Sequence, residues 1–208
     1  MIQSFDSIIF DLDGTLWDSR QPVANARNNV VARLGLNLPE FTAADVQRTM
    51  GLPMDKVYQI AFPTVAPDDF MRVRQHLDAE IAHVVLNEGA TLFPLVEATL
   101  AELHQRTALY LVSNCSTRYL ATYFQWSGHQ KYFRDSVCYG DNQLPKSENI
   151  RLIQSRNKLQ NPVYIGDTSG DHQASLSAGV GYIHVNYGFG QPLSECTRID
   201  CISRLAEI

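Results

Sequence analysis

The chain has 208 residues, with 22 acidic and 17 basic side chains, a formal charge of −5, 45% hydrophobic and 19% charged residues. This is the make-up of a globular protein with one large domain, or one domain carrying an insertion. The mild acidity excludes a duplex-binding face of clustered Lys and Arg, no apolar run approaches the roughly 18 residues that cross a bilayer, and Met1–Asp6 lacks the basic start of a secretion signal; the expectation is a cytoplasmic protein with neither nucleic acid nor membrane as partner.

Ser7–Phe10 is short, β-branched and aromatic, and it runs into acidic residues and a glycine, which predicts a buried strand ending in a loop. From about residue 16 to 88 strand-like runs disappear. Ser19 with Pro22 opens a helix that Gly35 closes, Thr42–Asp45 resembles a capping box, and Phe70, Val73, Leu77, Ile81 and Val84 recur at helical spacing before Gly89. Residues 16–88 are therefore expected to form an all-helical insertion, a candidate lid with hinges near Leu16–Ser19 and Glu88–Pro94. Strand-like runs return at 108–112, 162–165 and 181–185, with helix-like segments starting after Ser116, near Lys146 and near Gly170. Alternating strand and helix predicts an α/β core, residues 1–15 and 89–208, with a three-layer, Rossmann-like parallel sheet. The cysteines Cys115, Cys138, Cys196 and Cys201 form no C-x-x-C pair and read as reduced structural thiols.

Ligands of parallel sheets bind beyond the carboxyl ends of the strands, and there this sequence is polar each time. The first strand delivers Asp11-Leu12-Asp13-Gly14-Thr15, the second Ser113-Asn114, and the third Gly166-Asp167-Thr168-Ser169-Gly170-Asp171. Asp11 and Asp13, two apart in extended chain, point to one side and repel each other, and a hard cation relieves that repulsion. Mg²⁺ fits, because it takes one or two carboxylates and completes its octahedron with water and phosphate oxygens. Asp167 is a further ligand candidate, and Asp171 lies four residues on. A carboxylate beside Mg²⁺ can attack phosphorus, which makes Asp11 the candidate nucleophile and Asp13 the candidate general acid and base. Gly14 allows a tight turn with free amides for a phosphate, Ser113 offers a hydroxyl and Lys146 a charge.

With these motifs in order, the sequence resembles the haloacid dehalogenase superfamily, and the match covers nearly the whole chain. The family's D-x-D-G-T motif stands as Asp11–Thr15, its strand-ending Ser or Thr as Ser113 followed by Asn114, its lysine as Lys146, and its G-D-x-x-x-D as Gly166–Asp171. The resemblance implies phosphate contacts from Gly14, Thr15, Ser113, Asn114 and Lys146. It implies Mg²⁺ held by the Asp11 carboxylate, the Asp13 backbone carbonyl and Asp167, with Asp171 a ligand or a partner of Lys146. It also implies that the insertion is the C1 cap of phosphoglycolate phosphatase-like members. The expected activity is Mg²⁺-dependent hydrolysis of a small phosphorylated metabolite through an aspartyl phosphate, by a monomer or weak dimer. A phosphomutase of the β-phosphoglucomutase type and a phosphate-sensing receiver module are the alternatives.

Blander readings compete at several positions. Lys131 or Lys158 could stand for Lys146, Ser113 or Ser116 could cap the following helix, and His172 beside Asp171 is a candidate base. Gly188-Phe189-Gly190 reads as a plain turn. Arg20, Asn25 and Arg27 lie near the first hinge, where they could touch a leaving group, but each reads as an exposed helix residue.

Overall fold

Strand β1, Ser7–Phe10, is buried at all four residues, as an apolar strand covered on both faces must be. The chain then passes through β2 (Trp17–Asp18) into four helices: α1 (Arg20–Leu34), α2 (Ala43–Gln47), α3 (Met54–Ala61) and α4 (Phe70–Glu88). It returns through β3 (Thr91–Leu92), which pairs antiparallel with β2. This ribbon lies where the sequence suggests plain loops, because two-residue strands are too short to leave a pattern. This computed structural model describes residues 5–66 and 69–207, so most of the amino-terminal segment read for a secretion signal, Met1–Ser4, lies outside it.

The helix signals act locally as the side chains require. α1 stops at Gly35, whose φ of 63° is left-handed. Thr42 and Asp45 close a reciprocal capping box on α2. The α4 stripe of Val73, Leu77, Ile81 and Val84 is buried, and α4 packs on α1.

The remainder runs α5 (Val96–Arg106), β4 (Ala108–Ser113), α6 (Thr117–Ser127), β5 (Phe133–Cys138), α7 (Tyr139–Asn142), α8 (Lys146–Asn157), β6 (Pro162–Gly166), α9 (Ser169–Ala178), β7 (Gly181–Val185) and β8 (Thr197–Ile199). Six strands form one parallel sheet in the order β5-β4-β1-β6-β7-β8. Side chains of β1 alternate between its faces: Ile8 and Phe10 join a core with Leu100 of α5 and Leu120 of α6, whereas Ile9 joins one with Ile150 and Ile153 of α8. The result is the expected three-layer α/β fold. β1 lies in the sheet between β4 and β6, so the polar ends of these three strands are adjacent. Among the described residues no helix is long and apolar enough to cross a membrane.

Candidate active site

Asp11 directly follows β1, and its amide donates to the Ile165 carbonyl at 2.8 Å, which carries the sheet ladder to the edge of the site. Asp167 directly follows β6, and Thr168 caps α9. Asp171, the third residue of α9, accepts from the Thr168 amide (2.9 Å) and hydroxyl (2.7 Å) through Oδ2. Its Oδ1 faces the other way. Lys146 opens α8 after Pro145, and its Nζ donates to Asp11 Oδ1 at 2.8 Å and Asp171 Oδ1 at 2.5 Å. Despite burial, which disfavours an ammonium, these two carboxylates hold Lys146 charged. The competing lysines lie elsewhere: Lys131 sits beside Glu97 and Lys158 ends α8.

Asp11, Asp167 and Asp171 are all buried, and each has a carboxylate oxygen lying within 4.8 Å of those of the other two. Asp167 Oδ2 accepts from the backbone amides of Phe189 (2.7 Å) and Gly190 (3.2 Å), while its buried Oδ1 has no hydrogen-bond partner. Burial, then the neighbouring Asp171, pushes the Asp167 carboxyl up to about 7. Burial likewise raises Asp11, against the pull of Lys146. An all-oxygen donor set of three buried carboxylates, only two of them met by the Lys146 ammonium, and an orphaned buried oxygen on the third together fit a hard divalent cation.

Glycine is required around Asp167. Gly14 has φ +80°, and a Cβ there would lie 2.2 Å from Asp167 Oδ2; a Cβ on Gly188 would lie 2.3 Å from Asp167 Cβ. The segment Gly188-Phe189-Gly190 is thus more than a plain turn: it is the clamp on Asp167. Sequence reasoning missed it, although two glycines one residue apart after a strand were a usable signal.

Asp13 is set apart from the three-carboxylate cluster. Its Oδ1 accepts from Trp17 Nε1 (2.9 Å), Ser19 Oγ (2.9 Å) and Tyr119 OH (2.6 Å). Burial raises its carboxyl above the usual range, with the Tyr119, Ser19 and Trp17 hydrogen bonds opposing. Ser19 precedes α1 yet makes no side-chain cap bond to it; its hydroxyl serves Asp13 instead. Tyr119 was not singled out in the sequence.

Ser113 is buried, and its Oγ accepts from the Cys115 amide at 3.3 Å. Ser116 is the residue that caps α6. Asn114 reaches across to the Gly51 carbonyl at 2.8 Å, and Thr15 is fully buried, its carbonyl accepting from Tyr187 OH at 2.9 Å. His172 stacks on the Tyr182 ring, 5.0 Å between centroids.

Asp11, Asp13, Ser113, Asn114 and Lys146 line one cavity of about 70 Å³, and residues of α1, α2, α3 and α4 close its other side. Arg27 is among them and is 3% exposed, so its reading as an exposed helix residue is corrected. It falls on the same face as Val23 and Val30, four before and three after, a stripe that the sequence already contained. Arg20 and Asn25 are not cavity residues: Arg20 pairs with Asp18 at 2.6 Å, and Asn25 donates to Glu88 at 3.1 Å.

A buried aspartate, an ammonium and a three-carboxylate cluster thus meet at the strand ends of an α/β sheet, the arrangement of a hydrolase-type candidate site. Residues 8–185 match the family described as haloacid dehalogenase-like hydrolase. The chain belongs to that family of hydrolases. The phosphoglycolate phosphatase of Vibrio parahaemolyticus is 28% identical over 223 residues, covering 99% of this chain and 96% of its own. That of Salmonella typhimurium is 28% identical over 219 residues, covering 90% and 84%. A predicted phosphoglycolate phosphatase structure from Haemophilus somnus superposes with a TM-score of 0.86 at 22% identity, covering 100% of this chain and 99% of its own. CbbY from Rhodobacter sphaeroides, solved with xylulose-(1,5)-bisphosphate, superposes with a TM-score of 0.83 at 16% identity, covering 97% and 96%. Its likeness concerns the fold.

Proposed function

We propose that this chain is a Mg²⁺-dependent phosphatase that hydrolyses a small phosphomonoester, of the phosphoglycolate phosphatase type that its relatives are named for, through an aspartyl phosphate on Asp11. The observation that carries this reading is the Lys146 bridge between Asp11 and Asp171, set beside the unpartnered Asp167 oxygen. A surface turn of acidic residues would not bury these groups together.

In this reading the Asp11 carboxylate attacks phosphorus and the bond to the leaving oxygen breaks. Asp13, whose burial favours its protonated form, gives its proton to that oxygen. Asp13 then takes a proton from a water that attacks the aspartyl phosphate, releasing inorganic phosphate and restoring Asp11. Lys146, the Ser113 hydroxyl and Asn114 orient the phosphoryl oxygens; the Gly14 and Thr15 amides, expected to be free for a phosphate, instead donate to the Trp17 carbonyl at 3.1 Å and the Leu12 carbonyl at 3.3 Å and hold the turn. The carboxylates of Asp11 and Asp167 and the backbone carbonyl of Asp13 would hold Mg²⁺, with Asp171 a ligand or acting through Lys146. The ion supplies positive charge that offsets repulsion between an anionic nucleophile and an anionic substrate. Residues 16–88 act as the cap and residues 1–15 and 89–208 as the catalytic core, in a cytoplasmic monomer or weak dimer.

Purified protein should release phosphate from p-nitrophenyl phosphate with Mg²⁺, lose this with EDTA, and lose it in Asp11→Asn. Rapid quenching should trap one phosphoryl group on the peptide containing Asp11. Undiminished turnover by Asp11→Asn would remove the covalent mechanism.

A further inference from the structure

We infer that Arg27 is a specificity-determining residue that binds a carboxylate on the leaving-group half of the substrate, so that the preferred substrates are phosphomonoesters of short hydroxy acids. This rests on the phosphatase reading above and adds to it the residue that selects among substrates.

The starting observation is a buried cation without an anion. Arg27 has its Nη2 hydrogen-bonded to Thr49 Oγ1 at 3.2 Å, while its buried Nε has no partner. No carboxylate among the described residues lies within ion-pair distance of it; Arg72, Arg74, Arg118, Arg134 and Arg198 lack one too, but those side chains reach solvent, whereas Arg27 is buried. Its closest further support is the Phe41 ring, 5.5 Å from the guanidinium carbon. Burial lowers its pKa to about 10. A buried guanidinium left in this state is costly, and the cost is relieved when an anion arrives from outside.

The acidic groups in the same cavity are already committed. Asp11 is held by Lys146, Asp13 by three donors, and Asp78 by Ser116 Oγ (3.2 Å) and Tyr58 OH (3.5 Å). Arg27 also borders a second cavity with Glu40 and Asp45, but Asp45 is held by Thr42 and Arg48 and neither carboxylate lies within ion-pair distance of Arg27, so the anion that Arg27 lacks is assigned to the ligand.

Charge and surroundings then select the kind of anion. Lys146, bound to two aspartates, is the other cation on the cavity wall, so Arg27 stands alone on its side. One guanidinium fork matches one carboxylate in charge and in bidentate geometry. A second phosphate, at about −1.5 to −2, would bring excess charge next to Asp13 and Asp78. On the helical side the wall is otherwise apolar, with Val23, Val46, Leu77 and Ile81, and beyond Arg27 only Thr49 and Asp78 present polar side chains there. A sugar would leave hydroxyls unpaired against such a wall. The cavity of about 70 Å³ also favours a short leaving group.

The test compares kcat/KM for 2-phosphoglycolate with that for ethyl phosphate, which replaces the carboxylate by a methyl group, and for fructose 1,6-bisphosphate. Wild-type protein should prefer the carboxylate over ethyl phosphate by on the order of 100-fold, the worth of one buried charge-assisted pair. Arg27→Met and Arg27→Gln should each reduce that ratio to below about 5-fold, and Arg27→Lys, which keeps the charge and loses the fork, should fall between. Thermal melts check that the variants fold, and the wild-type ratio decides the carboxylate preference without them. A wild-type ratio near one, with ethyl phosphate still hydrolysed, overturns the inference and leaves the phosphatase reading standing. A preference that survives in folded Arg27→Met, or a higher specificity constant for the bisphosphate, also overturns it. No release from any monoester overturns both.

Discussion

Replacing Tyr119 by Phe removes one hydroxyl and keeps the ring, which packs edge-on against Trp17 at 5.4 Å. The hydroxyl is the nearest of three donors to Asp13 Oδ1, at 2.6 Å against 2.9 Å for Trp17 and Ser19. A hydrogen bond to a charged acceptor is worth about 1.5–3 kcal/mol, and one pKa unit about 1.4 kcal/mol. Ser19, which also touches the Tyr119 hydroxyl at 2.5 Å, can strengthen its own bond to Asp13 and recover part of the loss. The net expectation is a rise of about one unit in the Asp13 pKa. In the proposed mechanism deprotonated Asp13 activates water, so the acid limb of kcat should move up by about one pH unit, with about tenfold slower turnover below it. Stability should follow the same sign. The folded pKa of Asp13 already lies above its unfolded value, so its ionisation costs stability as pH rises through that window. Tyr119→Phe enlarges the cost at neutral pH and leaves little of it below the unfolded pKa. The assays are kcat against pH and thermal melts on both sides of the window. A pH profile superimposable on that of wild type would show that the hydroxyl does not act on Asp13.

Two further expectations concern the cation. If Asp167 holds Mg²⁺ as proposed, its carboxyl, raised to about 7, must lose a proton to the ion, so affinity should weaken as pH falls below 7 and calorimetry in buffers of different ionisation heat should register proton release; affinity constant from pH 5.5 to 7.5 would contradict this. In Gly188→Ala the new Cβ would meet Asp167 Cβ at 2.3 Å and the Gly14 carbonyl at 2.4 Å, which must displace the clamp and cut Mg²⁺ affinity by roughly 10–100-fold, and titration calorimetry showing unchanged affinity would refute the clamp's role.

What the sequence reveals and conceals follows from where the information lies. Asp11, Ser113, Lys146 and Asp167 are readable because each stands in a short local motif at a strand or helix end. β5 is an edge strand with β4 on one side only, and Arg134, Asp135 and Ser136 interrupt its apolar pattern, so it leaves no strand signature. β8 has three residues, two of them exposed. Leu95, which precedes α5, is left-handed (φ 65°) and provides no side-chain cap, which removes the usual polar start signal. Tyr119 escapes for another reason: it meets Asp13 across 106 positions of chain, and only the folded packing makes that contact.

The Gly188–Gly190 turn has a second set of partners. The Phe189 carbonyl accepts from Gln47 Nε2 at 3.2 Å, and the Arg20 guanidinium lies over its ring at 4.3 Å. An outward swing of the four helices must release Phe189, whose amide makes the shortest bond to Asp167. On the proposed reading, in which an ion sits at Asp167 and the four helices open as a cap, ion occupancy and closure are linked variables of a single equilibrium. Whatever factor the ion contributes to closing, closing must return to the ion as tighter binding.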